Sequence, residues 1–346
     1  MRYIKDIDEL IIPPPYRLGT GGTNHQFEAH DFILESGDGA LRDLVDKHLN
    51  AAFERSNGQR RKARKRTRQE PDSGFVDLEY RVLPDAPTIL SFIRYGRVDA
   101  LDDEERGAMA YTEVILSCQL LRYVGGTQDQ SVPLDFIGLV YIDDREFSGG
   151  KMRDALDLPI VFGRELFGMP KAPGEICYEP NGHDYQRPML KIWDRVDPQG
   201  GFLRQVPAIR FKPDIPDPDA DQQPDYRPSP IALGPARGEP KIDRMLVGLK
   251  QFADPIVVGD ELQACYQAIV ETPLQTYSLD GLEINVAGRG EEIEFPDVSR
   301  VKIVEKFGLK TKPGFPHRVT SGDIYHRSGR MIFADPKLTI VWELEP

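Results

Sequence analysis

The chain reads as α+β, with most of it in antiparallel strands and only a few helices. Three observations lead there. Thr88 to Val98 and Ala108 to Val124 are long runs rich in β-branched and aromatic residues, the composition of a half-buried pleated surface. Ala40 to Phe53 places Leu41, Leu44, Val45, Leu49 and Phe53 at helical spacing, with Asp38 nearby as its cap, which predicts one early helix. The chain closes on further strand-like segments, Met331-Ile332-Phe333 and Leu338 to Trp342.

The elements follow in order. Met1 to Asn24 contains Ile11-Ile12-Pro13-Pro14-Pro15-Tyr16, and its successive prolines forbid helix and favour an extended arm. That arm either packs on a neighbouring subunit or forms an ordered tail. Phe32-Ile33-Leu34 is a short strand, so residues 1–31 are read as the arm and 32–346 as one domain with insertions. Phe136 to Ile142, Lys191-Ile192-Trp193, Val206 to Lys212, Met245 to Ile256 and Leu274 to Val286 are strand-like, and Arg289-Gly290-Glu291-Glu292 is a turn.

Two insertions interrupt this pattern. Residues 55–74 include the basic run Arg60 to Arg68, which suits either a polyanion or targeting patch or a solvated loop. The solvated loop is preferred, because no aromatic residue is interleaved for base stacking and the chain is otherwise acidic. Residues 213–240 are rich in Pro and Asp and poor in apolar side chains, an excursion without a core of its own.

Charge and composition narrow the function. A formal net charge of −12 disfavours nucleic acid as a partner, since a phosphate backbone needs a basic face. The 3 cysteines are scattered without metal-ligand spacing, which suits a reducing compartment. The 6 histidines form no pair on one helix and no cluster with carboxylates, so no metal is indicated. The glycines near residue 20 lack the lysine and the strand-to-helix context of a phosphate loop, and no cofactor is expected. No apolar run is long enough to span a bilayer and no signal-peptide pattern opens the sequence, so the cytoplasm is the expected compartment and no membrane partner is expected.

Two positions stand out chemically. Lys171 follows Phe167, Met169 and Pro170, none of which can hydrate an ammonium group. If these residues close around it, burial disfavours the charged form and leaves an amine able to attack a carbonyl. The plain alternative is a surface lysine whose stem covers apolar neighbours. Glu113 lies in the otherwise apolar Tyr111-Thr112-Glu113-Val114-Ile115-Leu116. If that side chain is buried it must pair, protonate or do chemistry; otherwise it faces solvent.

Gly163-Arg164-Glu165-Leu166, three residues and then Pro170-Lys171 resembles the active-site segment of the acetoacetate decarboxylase family. The resemblance implies a cone-like closed β-sheet of that type, with Lys171 as Schiff-base nucleophile and Glu113, in its Tyr-Thr-Glu context, as the pocket glutamate. Tyr111 shares a strand face with Glu113 and is read as a hydrogen-bond donor or acid. Arg164 is read as a structural or carboxylate-facing cation, and Phe167 and Met169 as apolar contacts to substrate. Two departures are evident. Ala172 stands where the decarboxylases carry a second lysine, and the approach to the first strand (Gln26 to Asp31) lacks their pocket arginine.

The resemblance therefore implies a lyase acting through an imine on a small-molecule keto substrate, by β-keto acid decarboxylation or by aldol condensation and dehydration. The departures argue against acetoacetate itself. A relative that keeps the fold but only binds a ligand or partner is the competing reading. The resemblance also implies a homo-oligomer.

Overall fold

The computed structural model of the protein describes residues 23–51, 78–83, 87–100, 108–124, 127–143, 168–177, 189–195, 203–211, 243–253, 264–277, 283–296, 301–333 and 339–344. Residues 1–22 of the arm and the insertions at 55–74 and 213–240 lie outside them. The described strands are β1 (Thr23–Leu34), β2 (Leu78–Val82), β3 (Thr88–Ala100), β4 (Ala108–Val124) and β5 (Thr127–Asp143). After them come β6 (Lys171–Ile176), β7 (Leu190–Arg195), β8 (Leu203–Phe211), β9 (Asp243–Ala253) and β10 (Ala264–Tyr277). The last are β11 (Glu283–Arg289), β12 (Glu292–Glu294), β13 (Arg318–Thr320), β14 (Asp323–Phe333) and β15 (Thr339–Leu344). No helix of the described residues is long and apolar enough to cross a membrane.

The strands pair in one sheet, and part of it returns on itself. The circuit runs β5, β9, β10, β14, β1, β3, β4 and back to β5. Strand direction reverses at every antiparallel step and must return to its starting sense. A ring of seven strands therefore needs an odd number of parallel steps, and the β5–β9 pair over residues 134–136 and 245–247 supplies one. From β5 a branch also leaves through β6, β7, β8, β12 and β13.

β5 divides where its two partners on one edge part. It pairs with β9 at 134–136 and with β6 at 140–142. Gly138 between them is the extra residue of a bulge against β4, where Leu116 faces Leu139 and Ser117 faces Ile137. Its carbonyl accepts a hydrogen bond from Lys306 Nζ at 3.1 Å. A Cβ at Gly138 would stand 2.9 Å from the Phe307 ring, so only glycine lets the second helix approach this closely.

Helix α1 (Asp38–Val45) runs into a π turn over Asp46–Asn50, and the N-cap is Gly37, with the expected cap Asp38 inside the first turn. Leu41, Leu44, Val45 and Leu49 are buried, as the helical spacing predicts. Asn50 then stands in for a strand neighbour, giving its amide to the Tyr80 carbonyl at 2.8 Å and accepting from the Tyr80 N–H at 2.9 Å. Helix α2 (Ile303–Phe307) ends at Gly308, which has φ +58. β1 begins nine residues before the Phe32-Ile33-Leu34 segment read from sequence, at Thr23. The Leu274 to Val286 stretch divides between the end of β10 and the start of β11.

The ring buries both faces. Phe32, Leu34, Phe92, Leu116 and Leu120 pack with α1, α2 and the β7–β8 branch in one cluster. Phe27, Ala29, Ile93, Tyr95, Tyr111, Val140 and Ile142 form a second cluster. In β1 and β4 the two sets have opposite parity, so they occupy opposite faces of the sheet.

Two tests follow from this packing. A Cβ on Gly308 would fall 2.4 Å from the Ala40 Cβ, at a left-handed backbone position. Gly308→Ala should lower unfolding stability by more than about 2 kcal/mol in urea titrations. His48 in the π turn is held down at about 4, first by burial and then by Lys306 and Lys47. The unfolded chain takes up that proton near pH 6.5, whereas the folded chain excludes it until about pH 4. Stability should therefore fall as pH drops through that window, and the fall should be shallower in His48→Gln.

Candidate active site around Lys171 and Glu113

The approach to Lys171 passes through a residue of left-handed backbone. Gly168 has φ +65, a conformation costly for residues with a Cβ, and it delivers Met169 and Pro170 into β6. The Lys171 N–H donates to the Met169 carbonyl at 2.8 Å, and the Pro170 carbonyl accepts from the Val140 N–H at 3.4 Å. Lys171 is thus the first residue of β6, facing Val140 across a parallel pair.

Register then decides what the lysine meets. Glu113 on β4 lies opposite Ile142 on β5, two residues beyond Val140. Val140 and Ile142 project from one face, so their cross-strand partners Lys171 and Glu113 do as well. The two long side chains close the space across β5, and Lys171 Nζ stands 2.6 Å from Glu113 Oε1. Both are removed from water, with 9% of the lysine side chain and 3% of the glutamate side chain exposed. Met169, Val140, Ile142 and Tyr111 belong to the apolar cluster on this face.

Tyr95 on β3 belongs to the same apolar cluster. It lies opposite Tyr111, while Ile93 lies opposite Glu113. The Tyr95 phenol keeps its proton well above the usual tyrosine range, first through burial, then through the charge of Glu113 and Tyr111, against an opposing effect of Arg327. Tyr111 is likewise pushed well up, by burial and then by Glu113. Its ring lies against Tyr95 with centroids 4.7 Å apart.

A second charge pair occupies the same face. Arg327 on β14 lies opposite Ala29, and Ala29 lies opposite Ile93. The guanidinium takes both oxygens of Asp31, with Nη2 to Oδ1 at 2.9 Å, and Ser91 donates to the same carboxylate. Asp31 is fully buried and Arg327 is 6% exposed.

Of the residues singled out from sequence, Lys171, Glu113, Tyr111 and Met169 are brought together here. Arg164 and Phe167 lie outside the described residues. Tyr95, Asp31 and Arg327 went unread. Asp31 carries a faint signal, since Phe27, Ala29 and Asp31 alternate along β1, but the positions of Tyr95 and Arg327 depend on pairing register. Among the described residues no group of three or more His, Cys, Asp and Glu could hold a metal ion. Cys118 is buried and its thiol is pushed up to about 12 by burial and then by Asp135, which leaves it unreactive.

An amine in contact with a carboxylate, on an apolar face with little water, can pass a proton to it and add to a carbonyl carbon. The same carboxylate can return that proton later.

No protein-family model matches the chain. No curated protein matches it in sequence. Among solved structures, an acetoacetate decarboxylase is similar over 99% of both chains, at 14% identity and a TM-score of 0.46. The acetoacetate decarboxylase of Legionella pneumophila is 13% identical, with 96% of this chain and 94% of that one covered and a TM-score of 0.43. The enduracididine biosynthesis enzyme MppR, solved with the condensation product of pyruvate and imidazole 4-carboxaldehyde, is 12% identical, with 96% and 92% covered and a TM-score of 0.42.

The buried pair yields its own test. Removing one partner leaves the other charge without its counter-ion, so Lys171→Met and Glu113→Leu should each cost about 3 kcal/mol of stability. Glu113→Leu combined with Lys171→Met should recover most of that loss, giving a coupling of at least about 2 kcal/mol in a double-mutant cycle.

Proposed function

We propose that this protein is a Schiff-base enzyme acting on a keto compound, with Lys171 as nucleophile and Glu113 as its proton partner. The observation that carries the reading is the 2.6 Å contact between Lys171 Nζ and Glu113 Oε1 on a buried sheet face. A lysine kept for solubility has no reason to bury its ammonium there, since burial costs hydration that only a dedicated partner offsets. The motif around Lys171 supports the same reading.

Lys171 passes its proton to Glu113, and the free amine adds to the carbonyl carbon of the substrate. The carbinolamine takes a proton from solvent on oxygen and loses water, leaving a protonated imine while Glu113 keeps its proton. With a β-keto acid, the bond to the carboxylate breaks and its electron pair flows into the iminium. Carbon dioxide departs and an enamine remains. Glu113 then protonates the enamine carbon, and water releases the product ketone and the free lysine. With an aldehyde present, the enamine carbon instead forms a new carbon–carbon bond, and loss of water gives a conjugated product. Ala172 and the arginine-free stretch Gln26 to Asp31 favour a substrate other than acetoacetate.

Borohydride trapping with β-keto acids, pyruvate and simple ketones, followed by peptide mass mapping, tests this. Ligand mass should appear on Lys171 and be absent in Lys171→Arg, and Glu113→Gln should slow its appearance by at least about 10²-fold. If folded wild-type protein gains no ligand mass at Lys171 from any of these compounds, the imine reading is wrong and a ligand-binding role for the same fold takes its place.

A further inference from the structure

The Lys171–Glu113 and Asp31–Arg327 pairs are set in two adjacent rows across one sheet face. Asp31, Ser91, Ile115, Val140 and Lys171 follow one another from β1 through β3, β4 and β5 to β6. Arg327, Ala29, Ile93 and Glu113 follow one another from β14 through β1 and β3 to β4. Cross-strand partners share a face, so each pair closes diagonally between the rows, and the apolar Ala29, Ile93 and Ile115 lie between the two pairs.

Asp31 does not use up Arg327. Nε and Nη2 of the arginine donate to the two oxygens of that carboxylate, which occupies the side-on fork of the guanidinium. The end-on fork, made by Nη1 and the second hydrogen of Nη2, meets no acceptor among the described residues. Such a fork matches a carboxylate with two parallel N–H bonds. The guanidinium carbon stands 5.6 Å from the centre of the Phe27 ring, so the group lies over β1. Only β3 separates it from Glu113 on β4, where Lys171 makes its contact. We infer that this open fork receives a carboxylate that the substrate keeps, so that the compound taken by the site is a keto acid and not a plain ketone. The inference rests on the reading of Lys171 as the imine-forming amine.

Charge balance favours the same class. Before substrate arrives the face is neutral, with Lys171 matched by Glu113 and Arg327 by Asp31. Once the amine has given its proton to Glu113 and become a protonated imine, one positive charge is left over where water is scarce. A carboxylate on Arg327 balances that charge, whereas a neutral ketone leaves it unmatched. Reach then sets the length. Two strand steps separate β1 from β4, about 10 Å at the usual spacing. With about 1.5 Å taken by the carbon–nitrogen bond and about 3.5 Å by the contact to the guanidinium, about 5 Å remain, or about four bonds of extended chain. A methyl ketone of that reach is 5-oxohexanoate, which carries no β-carboxylate to lose.

Borohydride trapping on Lys171 reads the discrimination, because 5-oxohexanoate and its methyl ester share the reacting ketone and differ in one charge. Wild-type protein should trap the acid at least about 10-fold faster than the ester. The ratio should fall to about one in the double variant Asp31→Asn with Arg327→Gln, which removes the fork without stranding a charge. Tyr80→Phe breaks a buried bond to Glu271 at 2.8 Å on the opposite face and should keep the wild-type ratio. A wild-type ratio near unity, or a ratio that the double variant keeps, overturns the inference. Should the double variant not fold, chain length decides in the wild type. The advantage of acid over ester should then be largest for 5-oxohexanoate and smaller for 4-oxopentanoate and 7-oxooctanoate, and an equal advantage at all three lengths overturns the inference. The imine reading fails separately, when neither acid nor ester adds mass to Lys171. Hexanoate, which has no carbonyl, still tests the fork in that case: it should raise the melting temperature of the wild type where hexanamide does not, and no such rise overturns the inference.

Discussion

β5 has to serve three neighbours, and that demand fixes where Lys171 can stand. One edge is occupied by β4, and the other is shared by β9 and β6 in succession. The strand can do this only if something covers the gap between them. Gly138 bulges there, Lys306 satisfies its carbonyl, and the Phe307 ring fills the space a side chain would take. β6 starts immediately past that junction, and its first residue is the lysine. A shift of β6 by one residue would send Lys171 to the opposite face and away from Glu113.

Burial of charge is concentrated on the ring in matched sets. The Lys171–Glu113 and Asp31–Arg327 pairs share one face. A third set joins Glu271 to Tyr80 and Arg122 and ties β10 to β2 and β4. Such sets contribute little net stability compared with apolar packing of the same volume, but a mispaired register would strand a charge and so be rejected. The Asp31–Arg327 set illustrates this: it is satisfied only when β1 and β14 meet in their native alignment.

Much of this was legible in the sequence. β4 matches the Ala108 to Val124 run end to end, because its alternation and β-branched content are strong. The buried face of α1 followed from spacing alone. Glu113 was conspicuous as a charge among apolar neighbours, and Lys171 as a cation after an apolar turn. β6 itself was not legible. Its Lys171-Ala172-Pro173-Gly174-Glu175-Ile176 has poor strand propensity, and it is a strand because β5 and β7 hold it. Tyr95 was out of reach for a different reason: its place against Tyr111 follows from the β3–β4 register, and that register shifts between Tyr95 and Val98.

The circuit of seven strands also governs the order in which the protein can come into being. β1 finds its neighbour in β14, and β5 finds one in β9, so partners are separated by most or much of the chain. During synthesis the early strands emerge with one edge unsatisfied and stay so until the late ones leave the ribosome. Loop closure over such lengths is slow, and open edges invite pairing with other chains in the meantime. The nascent protein should therefore lean on chaperones that shield strand edges, and its yield should respond to growth temperature and to the rate of translation.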